Sequence, residues 1–168
     1  MPDIFLISDT HFLHTNIIEK FDPPRPFHNI HEHDEALIEN WNKVVKSGDK
    51  VYHLGDVFMG NPLMFKNLWP RLNGRKTLIV GNHDNIKWLS AGGFFSNIHM
   101  WRKLSEHGLV LSHVPLHPTS LGEVRKTGKQ YLNVHGHTHF NGSPEGPYKS
   151  VCVEKINYTP IHIEDIKL

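Results

Sequence analysis

Five short runs carry side chains able to do chemistry: Asp9-Thr10-His11, Gly55-Asp56, Gly81-Asn82-His83-Asp84, His113, and Gly136-His137-Thr138-His139. Each offers carboxylate, amide or imidazole donors, and none contains a thiol. Such oxygen and nitrogen donors suit Mn2+, Fe, Co, Ni or Zn2+, and they exclude a structural zinc centre built from cysteine. The chain has 15 histidines in 168 residues, far more than packing asks for. Histidine is both the commonest metal ligand and the side chain that titrates near neutrality. Taken singly, an Asp-x-His or a Gly-Asp is turn chemistry. All five in one short chain point to metal or phosphate chemistry.

Elements must position these runs, and most of the runs follow an apolar stretch. Asp3 to Ser8 reads as a buried first strand that runs into Asp9. Val51 to Leu54 is a second strand, Lys76 to Val80 a third, and each ends in a glycine-containing run. Ser96 to Leu104 and Leu109 to Val114 read as a hairpin turning near Glu106-His107-Gly108, with His113 near its end. Tyr131 to His135 and Tyr148 to Val153 are further strands, and Ile161 to Ile163 closes an edge. Helices are expected at Asp34 to Lys46, with acids early and lysines late, and at Asn61 to Leu72, where Pro70 shortens or bends the end. Pro23, Pro24 and Pro26 make Glu19 to Asn29 an irregular loop. His117 to Gln130 reads as a polar, mobile loop. Helices and strands alternate first and strands dominate later, which predicts an α/β core with mixed sheets. In such sheets the carboxyl ends of strands form the ligand crevice.

On extended backbone, residues two apart project to one side, so Asp9 with His11, and His137 with His139, are expected to share an ion. Glycines 55, 81 and 136 would let the backbone turn tightly beside it. His53 reads as a packed, hydrogen-bonded core histidine. His28, His31 and His33 read as a capping or exposed cluster, and Trp41, Trp69 and Trp88 as core.

Composition bounds the rest. The length fits a single domain over residues 1–168, and 38% hydrophobic with 21% charged residues is a globular balance. Eighteen basic against 17 acidic residues give a net charge of +1, so no global field draws the chain to nucleic acid or membrane. One cysteine, Cys152, excludes an internal disulfide framework. No signal peptide or membrane-spanning run is read, and a cytoplasmic location is expected.

The ordered set Asp9-x-His11, Gly55-Asp56, Gly81-Asn82-His83-Asp84, His113 and Gly136-His137-x-His139 resembles the calcineurin-like metallophosphoesterases over residues 3 to about 140. The stretches Thr10 to Ile18 and Val51 to Asp56 are similar to the small stand-alone phosphoesterases of bacteria and phages. The resemblance implies a four-layer α/β/β/α sandwich of two mixed sheets flanked by helices, with a two-metal site at the strand ends. It implies that Asp9, His11 and His139 hold one ion, that Asn82, His113 and His137 hold the other, and that Asp56 bridges them. Two divalent ions are the implied cofactor, Mn2+ favoured and Fe, Co, Ni or Zn open.

Paired ions there would lower the pKa of water toward neutrality, and the expected reaction is attack of its hydroxide on phosphorus in line with the departing oxygen. His83, facing the substrate phosphate, would protonate the leaving group. Asp84 is expected either to orient His83 or to cap the helix beginning near Asn85. His14, Asn16 and Arg25 are candidates for binding substrate phosphate, each set against an ordinary polar or surface role. A small phosphodiester or nucleotide is the favoured substrate. A phosphomonoester, or nucleic-acid ends met by a loop carrying Arg125, Lys126 and Lys129, are the alternatives. A scaffold keeping the fold without the chemistry, or a mononuclear zinc hydrolase of another fold, would be the readings outside this class. No membrane partner is expected, and the sequence leaves the oligomeric state open.

Overall fold

The computed structural model describes residues 1–166. Two mixed sheets stack face to face. The first has five strands in the order β4-β3-β2-β1-β9 and the second has four, β5-β6-β7-β8. In the first sheet β1 (Ile4–Ile7), β2 (Lys50–His53), β3 (Arg75–Ile79) and β4 (Asn97–His99) are parallel, and β9 (Ile161–His162) closes the edge antiparallel to β1. In the second, β5 (Trp101–Leu104) runs antiparallel to β6 (Leu109–Ser112), while β7 (Leu132–His135) and β8 (Tyr148–Ser150) run parallel to it.

Strand alternation divides the core. Phe5 and Ile7 of β1 pack with the helices, in a cluster holding Leu37, Trp41, Phe65 and Leu68. Leu6 between them points the other way, into a second cluster with Leu111 and Val134 of the second sheet. A strand buried on both faces must be apolar at every position, which is why β1 reads as an unbroken hydrophobic run. On the far face of the second sheet, Val110, Tyr131 and Tyr148 are covered by Leu121, which is fully buried, and by Leu116 and Val124. The segment expected as a mobile loop is therefore pinned down by its own apolar residues, with a 3-10 turn at Pro118–Ser120.

Helix starts follow capping chemistry. α1 (Asn16–Glu19) is a single turn that no apolar periodicity announces. α2 (Ile30–Val44) begins four residues before the expected Asp34, because the Asn29 side chain accepts the Glu32 N–H and caps it there. α3 (Pro62–Leu68) starts from an Asn61 cap with Pro62 in its first turn, and gives way to a 3-10 turn at Trp69–Arg71 around Pro70. α4 (Ile86–Ala91) is capped by Asn85, whose Oδ1 accepts the Trp88 N–H. The stretch expected as one strand from Ser96 to Leu104 is two: at exposed Met100 the chain leaves β4 in the first sheet and enters β5 in the second. Among the described residues no helix is long and apolar enough to cross a membrane.

Candidate metal centre

The carboxyl ends of β1, β2, β3, β6 and β7 lead directly into the five chemical runs. Asp9 follows β1, and both oxygens of its buried carboxylate have defined surroundings. Oδ2 accepts from Ser8 Oγ at 2.6 Å and from the His137 N–H at 2.9 Å, with the Cys152 thiol at 3.4 Å. Oδ1 has no hydrogen-bond partner and is buried, as is His11 Nε2. These two atoms lie 3.7 Å apart, and His139 Nε2 is 3.5 Å from the same Oδ1.

Beside this group, Asp56 Oδ2 lies 3.3 Å from His113 Nε2. Asn82 Oδ1 is 2.9 Å from His113 Nε2 and 3.1 Å from His137 Nδ1. The ligand atoms of Asp9, His11 and His139, and likewise those of Asp56, His113 and His137, fall within 4.8 Å of one another. Asp56 Oδ2 also lies 3.6 Å from His11 Nε2, so it faces both groups.

These donors fit divalent cations. A buried carboxylate oxygen and imidazole nitrogen without partners are costly, and an ion between them satisfies both. The electrostatics ask for positive charge. Burial opposes a charge on His113, yet Asp56, Asp9 and the Leu54 carbonyl raise its pKa to about 9, so a proton collects where a cation would sit. Burial would likewise raise the Asp9 carboxyl, but the His11 ring beside it and the charges of His113 and His139 hold it well below the usual carboxylate range. Burial pushes the Cys152 thiol far up, so it stays protonated and is no ligand.

The backbone brings these side chains together by a route other than the extended one expected. Asp9 (φ 58°), His11 (φ 45°), Asp56 (φ 55°), His137 (φ 69°) and His139 (φ 49°) all adopt the left-handed conformation. L-residues pay about 1–3 kcal/mol for each such position, and here tight reversals replace strand alternation. At Gly81 and Gly136 a Cβ would overlap the Asp56 and Asp9 carboxylates respectively, so only glycine lets these loops close.

Partners behind the histidines fix which ring nitrogen faces the centre. His113 Nδ1–H donates to the Leu54 carbonyl at 2.6 Å, and His139 Nδ1–H donates to Glu154 Oε1 at 2.9 Å, which turns Nε2 of each toward the centre. His11 Nδ1 is 3.0 Å from His14 Nδ1. Burial, with the nearby charges of His11, His83 and Arg25, lowers the His14 pKa to about 4, so the ring is neutral at working pH. His53 is the core histidine expected. The Thr10 hydroxyl donates to the Val57 carbonyl and accepts from His53 Nε2–H, while Nδ1 accepts the Gly55 N–H.

Two expected roles need correction, those of Arg25 and Asp84. Arg25 is 1% exposed and turned inward. It donates to Glu154 at 2.9 Å and to the carbonyls of Asp9 at 2.6 Å and Thr10 at 2.9 Å, with His33 Nε2 beside it, so its fork is not free to clamp phosphate. Asp84 neither orients the His83 ring nor caps α4. Its oxygens accept the N–H groups of Gly81, Asp56 and Val57, tying the third chemical run to the second. Asn16 is exposed at the start of α1, where its carbonyl accepts from Lys20 and Phe21. His83 is exposed, its N–H donates to Asp56 Oδ1 at 2.9 Å, and its ring centroid is 5.9 Å from that of His11.

Glu154 was not anticipated. It sits in a Val-Glu-Lys turn after β8 that carries no motif, and only the Arg25 and His139 contacts reveal it. Burial works against its charge, but His139 and Arg25 keep its pKa below the ordinary value.

Two stacked mixed sheets with clustered Asp, Asn and His at their strand ends define an α/β sandwich carrying two candidate metal-binding groups. Residues 2–165 match the calcineurin-like phosphoesterase family, and the chain belongs to it. The family is one of phosphoric ester hydrolases that use divalent metals. An uncharacterized protein of Methanocaldococcus jannaschii is 38% identical over 173 residues, covering 98% of this chain and 89% of that protein. The gene 66 protein of Mycobacterium phage D29 is 37% identical over 87 residues, covering 50% of this chain and 41% of that protein. A crystal structure of a protein of unknown function from Aquifex aeolicus has a TM-score of 0.74 and 29% identity, covering 98% of this chain and 97% of that one.

Proposed function

We propose that the protein hydrolyses a phosphodiester, a nucleotide or other small diester, at a centre of two divalent ions with Mn2+ favoured. The observation that carries this reading is the position of Asp56 Oδ2, 3.6 Å from His11 Nε2 and 3.3 Å from His113 Nε2, where one carboxylate oxygen serves both ligand groups. Asp9, His11 and His139 would hold one ion, and Asn82, His113 and His137 the other. When bound, such a pair neutralises phosphate charge and lowers the pKa of water toward neutrality. Donors limited to oxygen and imidazole nitrogen support Mn2+ over a thiolate-preferring ion.

The chain's own residues supply the rest. His83 is no part of either ligand group, and its backbone is anchored to Asp56. Its exposed ring, with its centroid 5.9 Å from that of His11, would reach the substrate phosphate and give a proton to the departing alkoxide. A diester of an ordinary alcohol is preferred because its departing alkoxide is poor and needs that proton.

The test is hydrolysis of bis-p-nitrophenyl phosphate by Mn2+-loaded protein, alongside p-nitrophenyl phosphate. Diester turnover that a chelator abolishes, and that Asp56→Asn loses together with bound metal, is expected. Full activity with two ions in Asp56→Asn would remove the bridge, and faster monoester turnover would move the assignment to a phosphomonoesterase.

A further inference from the structure

His83 belongs to two environments. One is the metal centre, through its bond to Asp56. The other is a cavity of about 280 Å³, which His83 lines together with Phe58, Met59, Pro62, Trp88 and Leu89. The cavity walls are held by the core behind them. Phe58 stacks on Phe65, with centroids 4.0 Å apart and an interplanar angle of 14°, and Trp88 stacks on Phe94 at 4.9 Å and 24°. Phe58 and Trp88 meet at 5.5 Å and 56°, forming a rigid aromatic corner. Asp84, also in the lining, is fastened to the backbone of Gly81, Asp56 and Val57, so the cavity and the Asp56 loop keep one fixed geometry.

Pockets that enclose a drug-sized ligand run to ~300–1,000 Å³, so this cavity suits one end of a substrate rather than a whole one. Aromatic walls reward a planar ring, which stacks whatever its hydrogen-bonding pattern. A separate aromatic ring, outside this cavity, is Phe21, 37% exposed and edge-on to His11, His14 and His139. The site thus has apolar surface beside each ligand group.

We propose that the cavity seats the leaving group of the phosphodiester, and that this leaving group is an alcohol carrying a planar ring, either an aryl group or a nucleobase. The inference rests on the phosphoesterase reading above. With the ring in the aromatic corner, the departing oxygen lies beside His83. Water adds its hydroxyl to phosphorus, the P–O bond on the cavity side breaks, and its electron pair goes to that oxygen, which takes a proton from His83. The water's other proton returns to the enzyme, and the products are a phosphomonoester and the ring-bearing alcohol.

The test uses Mn2+-loaded protein and three diesters of matched alkyl leaving oxygens: methyl ethyl phosphate, methyl 2-phenylethyl phosphate and adenosine 5′-methyl phosphate. Phosphorus NMR identifies the product. Methyl phosphate as the product from the ring-bearing substrates is expected, with kcat/KM roughly 10–200-fold above the ethyl compound. Trp88→Ala and the milder Met59→Ala should shrink that preference while metal content stays at the wild-type level. The phenyl and adenosyl arms separate an aryl from a nucleobase preference. Release of methanol instead of the ring alcohol, or a ring preference unchanged in both variants, would overturn the proposal. If no diester is cleaved at all, the phosphoesterase reading fails. The cavity is then judged by saturation-transfer NMR with 2-phenylethanol and adenosine, and absence of binding sinks the ring seat too.

Discussion

Asp9 shows how a single residue is prepared for a cation. Ser8, the His137 N–H and Cys152 all converge on Oδ2, which leaves Oδ1 buried, charged and aimed at His11 and His139. The residue types were readable from the sequence, because metal chemistry restricts them to a few donors. The geometry was not, since a φ of 58° at Asp9 or 49° at His139 leaves no trace in side-chain identity. Arg25 was misread for a related reason: a guanidinium in a proline loop looks exposed until Glu154, far along the chain, is brought against it. At this scale the clearest prediction concerns His83. His83→Ala should keep both ions, as its ring is in neither ligand group, and lose roughly 10²–10⁴-fold in rate on alkyl diesters. The loss should be smaller when the leaving group is a nitrophenol that needs no proton. Equal losses on both would make His83 a phosphate-positioning group instead.

Elements carry the residues to one place, and the strand pattern foretold most of that. Apolar runs ending in polar clusters gave β1, β2, β3, β6 and β7 and put the chemistry at their ends. The split at Met100 was hidden because β4 and β5 are both short, and nothing in residues 96–104 marks a change of sheet. Behind the strand ends, Arg25 joins the turn after β1 to the turn after β8. It holds the carbonyls of Asp9 and Thr10 on one side and, through Glu154, the His139 ring on the other. Glu154→Ala should therefore weaken the ion at Asp9, His11 and His139 by about 10–100-fold, the usual effect of removing a histidine's outer partner. It should leave the ion at His113 and His137 in place. Manganese EPR reads this directly, as a coupled spectrum giving way to that of an isolated ion. Removing one partner of a buried pair costs about 3–5 kcal/mol, so Glu154→Gln, which keeps an acceptor, should show a smaller change in a more stable protein. Unaltered two-ion binding in both variants would reduce the pair to a structural role.

The whole molecule presents the centre at one end of two stacked sheets, with its most basic loop packed elsewhere. Leu121 and Val124 fasten residues 116–131 over the outer face of the second sheet, while Arg125, Lys126 and Lys129 stay exposed. Three cations make a thin patch for a nucleic-acid backbone, and the net charge is only +1. Replacing all three by alanine should leave stability within about 0.5 kcal/mol and hydrolysis of a small diester unchanged. Cleavage of short DNA at physiological salt that collapses in this variant would instead identify a nuclease. The central claim, two ions bridged by Asp56, is tested most directly by anomalous scattering from crystals grown with Mn2+. Two peaks are expected, one among Asp9, His11 and His139 and one among Asn82, His113 and His137, with the Asp56 carboxylate between them. A single peak at saturating Mn2+, or two peaks with Asp56 on neither, would contradict it.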